Sequence, residues 1–480
     1  MTGYLSVLIA ILLLSLVFVL ISRQRTPQHL RPPGPRPLPL FGNAFHIPKS
    51  RGWLAFIKWE KVYQSSLLFA SAFGQSILVI NSLEHATEFL ENRAQTTSGR
   101  PMLPLIKMIG WEEQTPVMQY GERWRKHRKV LHQHLRKEVL DRYDSVMMQK
   151  SHELLCKLAN TPVQFMDHCR VYSAAVIMDI LYGYDLASND DHWFLRAKRV
   201  IDTSSLVLAP GAFAVNNFPF LRHIPRWFPG AGFHDFASQL RDFTMEMRDL
   251  PYDFAKGSFL KGIGRASLVG TWLQEEAIGR EDEMFYRDLA VGAFGAGFDT
   301  TSSSLTALIH ALVLHPKVQQ KAQEQITQVI GSRRLPNLQD RRHLPFLEAI
   351  YREVLRWRPP LPLGFPHQTT KDDIYNRYHI PEGTVVLANI WAMTRDESIY
   401  TDPEEFRPER YLCSDGSLND DDRVLAYGFG RRICPGKFLA SESFWLAMAQ
   451  MIATFEFSKP KDQNGDDVEL EVHYTDEVLR

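Results

Sequence analysis

Residues 427–436 read Tyr427-Gly-Phe-Gly-Arg-Arg-Ile-Cys-Pro-Gly436, and a helical run from Gly436 to Phe455 follows at once. Gly428, Gly430 and Gly436 let backbone pass close to something flat and leave amide groups pointing at the sulfur of Cys434. A sulfur set before a helix start, among amides and beside Arg432, has its thiolate form favoured. A thiolate is a soft, strongly donating ligand, and a single thiolate on iron is a haem arrangement that favours O–O cleavage. A lone cysteine in a glycine-rich loop is otherwise a small buried residue, so the rest of the chain decides between the two.

The chain has 480 residues, 45% of them hydrophobic and 23% charged, which is ordinary globular composition. Lys+Arg and Asp+Glu are both 55, so nothing global points to nucleic acid. The four cysteines, Cys156, Cys169, Cys413 and Cys434, form no CxxC pair, which speaks against a disulfide framework or a zinc ribbon. Leu5 to Ile21 carries no charge and is followed by Arg23, Arg25 and Arg31, the pattern of a signal anchor whose body stays in the cytosol. Prolines 32, 33, 35, 37 and 39 then predict a stiff, extended connector. The division expected is therefore an anchor over 1–22, a hinge over 23–42 and one catalytic body over 43–480.

Within the body, strands are expected at Gln75 to Asn81 and Thr384 to Asn389. Helices are expected at Gly121 to Asp141, Phe285 to Leu314, Pro316 to Ile330, Pro345 to Trp357 and Gly436 to Phe455. The fold class read from this is mainly α with a minor β-sheet. The aromatic stretch from Leu206 to Phe236 fits either a buried loop or a segment dipping into a membrane interface.

The 427–436 stretch resembles the haem-binding signature of the cytochrome P-450 family, Phe-x-x-Gly-x-Arg-x-Cys-x-Gly. Gly430, Arg432, Cys434 and Gly436 match, and Tyr427 stands where that family usually has Phe. Three further motifs follow the family's order. Ala296-Gly-Phe-Asp-Thr-Thr301 resembles the oxygen-activation motif, in which Thr300 bonds back to a carbonyl and opens the helix while Asp299 serves a proton relay. Glu353 and Arg356 resemble the ExxR pair, with Arg410 the third member of a buried network. Trp124 and Arg128 match WxxxR and, with His367 and Arg432, are expected to bind haem propionates. The wording is most similar to fungal microsomal members.

The resemblance implies the cytochrome P-450 fold with an N-terminal membrane anchor helix, and haem b (iron protoporphyrin IX) held by Cys434 as axial iron ligand. It implies a monooxygenase that inserts one atom of O2 into a lipophilic substrate, in fungal secondary metabolism or xenobiotic oxidation. No GxGxxG or phosphate loop occurs, so electrons must come from an NADPH-cytochrome reductase. Arg125, Lys126 and Lys129 are the expected docking cations. The expected location is the endoplasmic reticulum membrane, single-pass, with the body facing the cytosol. A haem-thiolate isomerase, a peroxide user and a non-catalytic membrane haem carrier are the other readings, and the Asp299-Thr300 pair disfavours them. Candidate pocket residues lie in Thr97 to Met118, Ala293 to Phe298 and Leu361 to Phe365. Two departures from the family bear on pocket shape. Tyr63 to Phe73 lacks the expected alternating strand, and the tail past Cys434 is short, with a lone strand expected at Val468 to Val472.

Overall fold

The computed structural model describes residues 30–208, 211–275, 280–469 and 474, and the proposed anchor lies outside them. Ten helices of twelve residues or more carry the described body. They are α1 (Gly52–Tyr63), α2 (Glu122–Leu135), α3 (Asp144–Asn160), α4 (Phe165–Tyr182), α5 (His192–Leu208), α6 (Phe233–Leu260), α7 (Arg280–Leu314), α8 (Pro316–Ile330), α9 (Pro345–Trp357) and α10 (Lys437–Thr454). Proline at the first position of α8 and α9 sits where an N–H has no intrahelical partner. Among the described residues no helix is long and apolar enough to cross a membrane.

The strands are β1 (Leu67–Ala72), β2 (Gln75–Ile80), β3 (His367–Gln368), β4 (Asp373–Tyr375), β5 (Tyr378–Ile380) and β6 (Val385–Ala388). One sheet runs β1-β2-β6-β3, with β2 and β6 parallel and the other pairs antiparallel. β4 and β5 form a separate hairpin. β1 corrects the expectation for Tyr63 to Phe73. Leu67 to Ala70 are all buried, so the strand is covered on both faces and shows no alternation to read. Part of that cover is the proline-rich segment, where Phe69 donates its N–H to Pro33 at 2.8 Å and the Asn43 amide donates to the Pro35 carbonyl at 2.8 Å. Gly34 is required there, because a Cβ would lie 1.9 Å from the Phe69 oxygen.

The helix expected over Gly121 to Asp141 ends at Leu135, where Arg136 turns extended and a 3₁₀ run, Lys137–Tyr143, begins. The tighter turn rephases the chain so that Leu140 and Tyr143 reach the core. The main core packs α4 against α7 and α10, and α10 is buried along most of its length. In the tail, Lys461 and Asp467 bridge and the Val468 N–H donates to Pro460 at 2.8 Å, but Val468 is exposed. Residues 470–472 of the expected strand lie outside the described residues.

Candidate active site

Between α7, α2 and the 427–436 loop lies a cavity of about 380 Å³ with a mostly apolar wall. All three expected pocket segments contribute: Arg100, Trp111 and Gln114 to Val117 from the first, Ala293 and Gly295 to Gly297 from the second, and Leu361, Gly364 and Phe365 from the third. The sequence did not point to the Val176, Ile177, Ile201 and Leu208 side of the wall, contributed by α4 and α5.

Cys434 lies on this wall. Its N–H donates to the Tyr427 carbonyl at 2.8 Å, closing the loop. Gly430 takes φ +53°, and a Cβ there would come within 2.1 Å of the Leu90 oxygen, so only glycine fits. Burial pushes the Cys434 thiol up, against the Gly436 amide and the charges of Arg128 and Lys437. Arg432 does not neutralise the sulfur, because its guanidinium turns to the carbonyls of Ser98 and Met118, each at 2.8 Å. A coordinated metal deprotonates a thiol outright, so this burial is compatible with a thiolate ligand.

The four propionate candidates do converge. Trp124, Arg128, His367 and Arg432 all face the cavity. Arg128 donates to the Ile433 carbonyl at 2.5 Å, and the Arg432 guanidinium stacks 4.5 Å from the Trp124 ring. Arg100, which motif reading missed, joins them. It donates to Pro116 and Phe365 carbonyls at 2.9 Å each, and its flanking Gly99 and Pro101 were the available signal. Burial lowers all three guanidiniums, Arg432 to about 9, with Arg128 adding to its shift and Arg432 to that of Arg100. Burial, Arg100 and Arg432 also hold His367 well below the usual imidazole range. It is neutral, with Nδ1 against the Thr97 carbonyl at 3.0 Å. The described wall residues include no Asp or Glu, and the buried Trp124 Nε1–H has no partner among the described residues.

Buried cations without counter-charge call for an anion. A flat macrocycle carrying two carboxylates and an iron matches this donor set: guanidiniums and an indole N–H for the carboxylates, a cavity-facing sulfur for the metal.

The Glu353, Arg356 and Arg410 side chains meet out of solvent. Arg356 grips the fully buried Glu353 carboxylate bidentately at 2.6 and 2.8 Å, and Arg410 reaches it at 3.1 Å. Arg356 also donates to Thr394 and Pro403 carbonyls at 2.8 Å, tying α9 to the segment before the cysteine loop.

Thr300 lines the cavity and donates to the Ala296 carbonyl at 3.1 Å. The expected helix opening is absent. α7 runs unbroken through this turn, because hydroxyls add to its carbonyls without displacing the ladder. Asp299 does not face the cavity. Its carboxylate pairs with Arg170 of α4 at 2.6 and 2.8 Å, and burial still holds its pKa up. Of the expected docking cations, Lys126 is paired with Asp282 at 3.2 Å, whereas Arg125 and Lys129 are exposed.

A family description, Cytochrome P450, matches residues 32–473. Cytochrome P450 monooxygenase 136 of Postia placenta is 37% identical over 453 residues, covering 93% of this chain and 85% of the relative. Tryptamine 4-monooxygenase of Psilocybe cyanescens is 34% identical over 469 residues, covering 96% and 92%. These matches span the same cysteine loop, guanidinium cluster and α7 turn, and the chain belongs to the cytochrome P450 family of haem-dependent monooxygenases.

Proposed function

We propose that the protein is a membrane-associated monooxygenase that takes haem b, a lipophilic organic substrate, O2 and electrons from an NADPH-cytochrome reductase. The observation that carries this is the cavity-facing sulfur of Cys434 set beside a cluster of buried, uncompensated guanidiniums. Cys434 is the iron ligand, and Arg100, Trp124, Arg128, His367 and Arg432 hold the carboxylates. Bound haem supplies the iron at which O2 is reduced. The Thr300 hydroxyl, fixed to Ala296, stands on the cavity wall where it holds a proton donor in place. Asp299, held outside the wall by Arg170, serves the relay when its carboxylate leaves that pair and turns to the cavity. The apolar walls keep bulk water out and take up an apolar substrate. Glu353, Arg356 and Arg410 brace the loop from behind.

Residues 1–22 are the single membrane anchor, and the endoplasmic reticulum, with the body in the cytosol, is the location this implies. Arg125 and Lys129 are the cations left for an acidic reductase surface. Fungal secondary metabolism or xenobiotic oxidation is the setting we read for it, and the fungal source of these relatives supports its fungal part alone. Replacing Cys434 with His tests the reading. The thiolate-type carbon monoxide difference band and reductase-dependent product should both vanish, whereas Cys413→Ser should leave them intact. Full turnover by the His variant would refute the assignment.

A further inference from the structure

The cavity wall holds a polar side chain that neither the haem cradle nor the α7 turn uses. Gln114 is only 7% exposed, lines the cavity, and makes no side-chain hydrogen bond among the described residues. Its placement follows from Gly292, where a β-carbon would stand 3.6 Å from Cβ of Gln114 and 3.5 Å from the Thr115 nitrogen. The 111–118 segment therefore packs on α7 one helical turn before Ala296. Trp111, whose carbonyl accepts the Gln114 N–H at 3.0 Å, lines the same wall, and its buried indole N–H also lacks a partner among the described residues. Four hydroxyls of this wall are already engaged. Ser173, Ser204, Thr300 and Ser304 donate to the carbonyls of Gly297, Val200, Ala296 and Thr300. A primary amide carries two donors and an acceptor, and burying it unpaired costs free energy.

Resting on the monooxygenase reading above, we propose that the Gln114 amide orients the substrate, and that the substrate class is a neutral lipophile bearing one hydroxyl or ketone oxygen. The apolar wall supplies area but not orientation, and one hydrogen bond at a fixed point decides which carbon faces the Thr300 turn. A neutral partner follows once the haem carboxylates take up the guanidiniums, because an ion beside an uncharged amide would then lack a counter-charge.

The test titrates the haem-loaded full chain with bornane, borneol and camphor, one skeleton carrying no oxygen, a hydroxyl or a ketone. Dissociation constants are read from the haem absorbance. In Gln114→Leu the preference for borneol and camphor over bornane should fall about two- to tenfold. In Gln114→Met, which fills a similar space without an N–H donor, camphor and borneol should both weaken relative to bornane. Ratios unchanged in both variants, or equal losses for all three probes, would overturn the proposal. The carbon monoxide band separates the two levels of failure. With the band intact in parent and variants, unchanged ratios count against Gln114 alone. Its absence from the parent overturns the haem-thiolate reading and this inference with it.

Discussion

At Cys434 burial pushes the thiol up, and the Gly436 amide and the charges of Arg128 and Lys437 oppose it. The same balance governs Glu442 on α10, whose carboxyl burial raises from 4.5 to about 7, with Asp144 and Asp141 adding to the rise against Arg341. A carboxyl whose folded pKa lies above its unfolded value stabilises fully below pH 4.5 and loses that contribution as pH rises through 7. Glu442→Gln, which cannot ionise, should therefore gain on the parent between pH 5 and pH 8, by about 1–2 kcal/mol once the shift is discounted for the carboxyl's contact with solvent. Urea unfolding at the two pH values measures this, and parallel pH profiles would contradict it. The loop motif made Cys434 and Arg432 legible as site residues. The direction of the Arg432 side chain was not legible, because it depends on carbonyls of Ser98 and Met118 more than 300 residues away in sequence.

Between α4 and α7 the packing is close enough that Gly297 would meet Ile177 at 3.3 Å if it carried a Cβ. Ser173 crosses the same interface to the Gly297 carbonyl at 2.7 Å. Arg170 closes it by pairing with Asp299 and Asp202 and lying 5.2 Å from the Phe298 ring. Removing the arginine strands a carboxylate whose pKa burial already raises. Arg170→Met should thus cost about 3 kcal/mol, more at pH 8 than at pH 5. Asp299→Asn in the same chain should recover much of the loss, since a neutral amide needs no counter-ion. A double-mutant cycle of unfolding free energies tests the pair, and simple additivity would dissolve it. The apolar length of α7 announced a helix in the sequence. Asp299 read as a cavity acid because spacing along one helix says nothing of an arginine 129 residues earlier on another.

Over the whole molecule, strongly periodic helices such as α8 and α9 were readable to the residue, while β1 escaped because both its faces are covered. The stretch from Leu206 to Phe236 needed the fold to decide it. Phe41, Phe73 and Phe218 form a chain of ring contacts at 6.2 and 4.8 Å, joining the proline-rich segment, the β1–β2 turn and this stretch on one face. Phe45 and Phe220 extend it at 5.5 and 6.1 Å, and Trp227 stands 81% exposed beside exposed Arg222 and Arg226. Exposed aromatics interleaved with arginines suit the boundary between lipid headgroups and acyl chains, and this face includes the residues that follow the proposed anchor. The chain from residue 30 onward should therefore sediment with phosphatidylcholine–phosphatidylserine vesicles without residues 1–29. Each buried Phe or Trp side chain contributes about 1.5–3 kcal/mol, so Phe220→Ser combined with Trp227→Ser should weaken partitioning at least about tenfold. The spectrum of the haem-loaded protein should not change, because neither residue lines the cavity. Equal partitioning of parent and double variant would show that this face meets water and that the attachment lies wholly elsewhere in the chain.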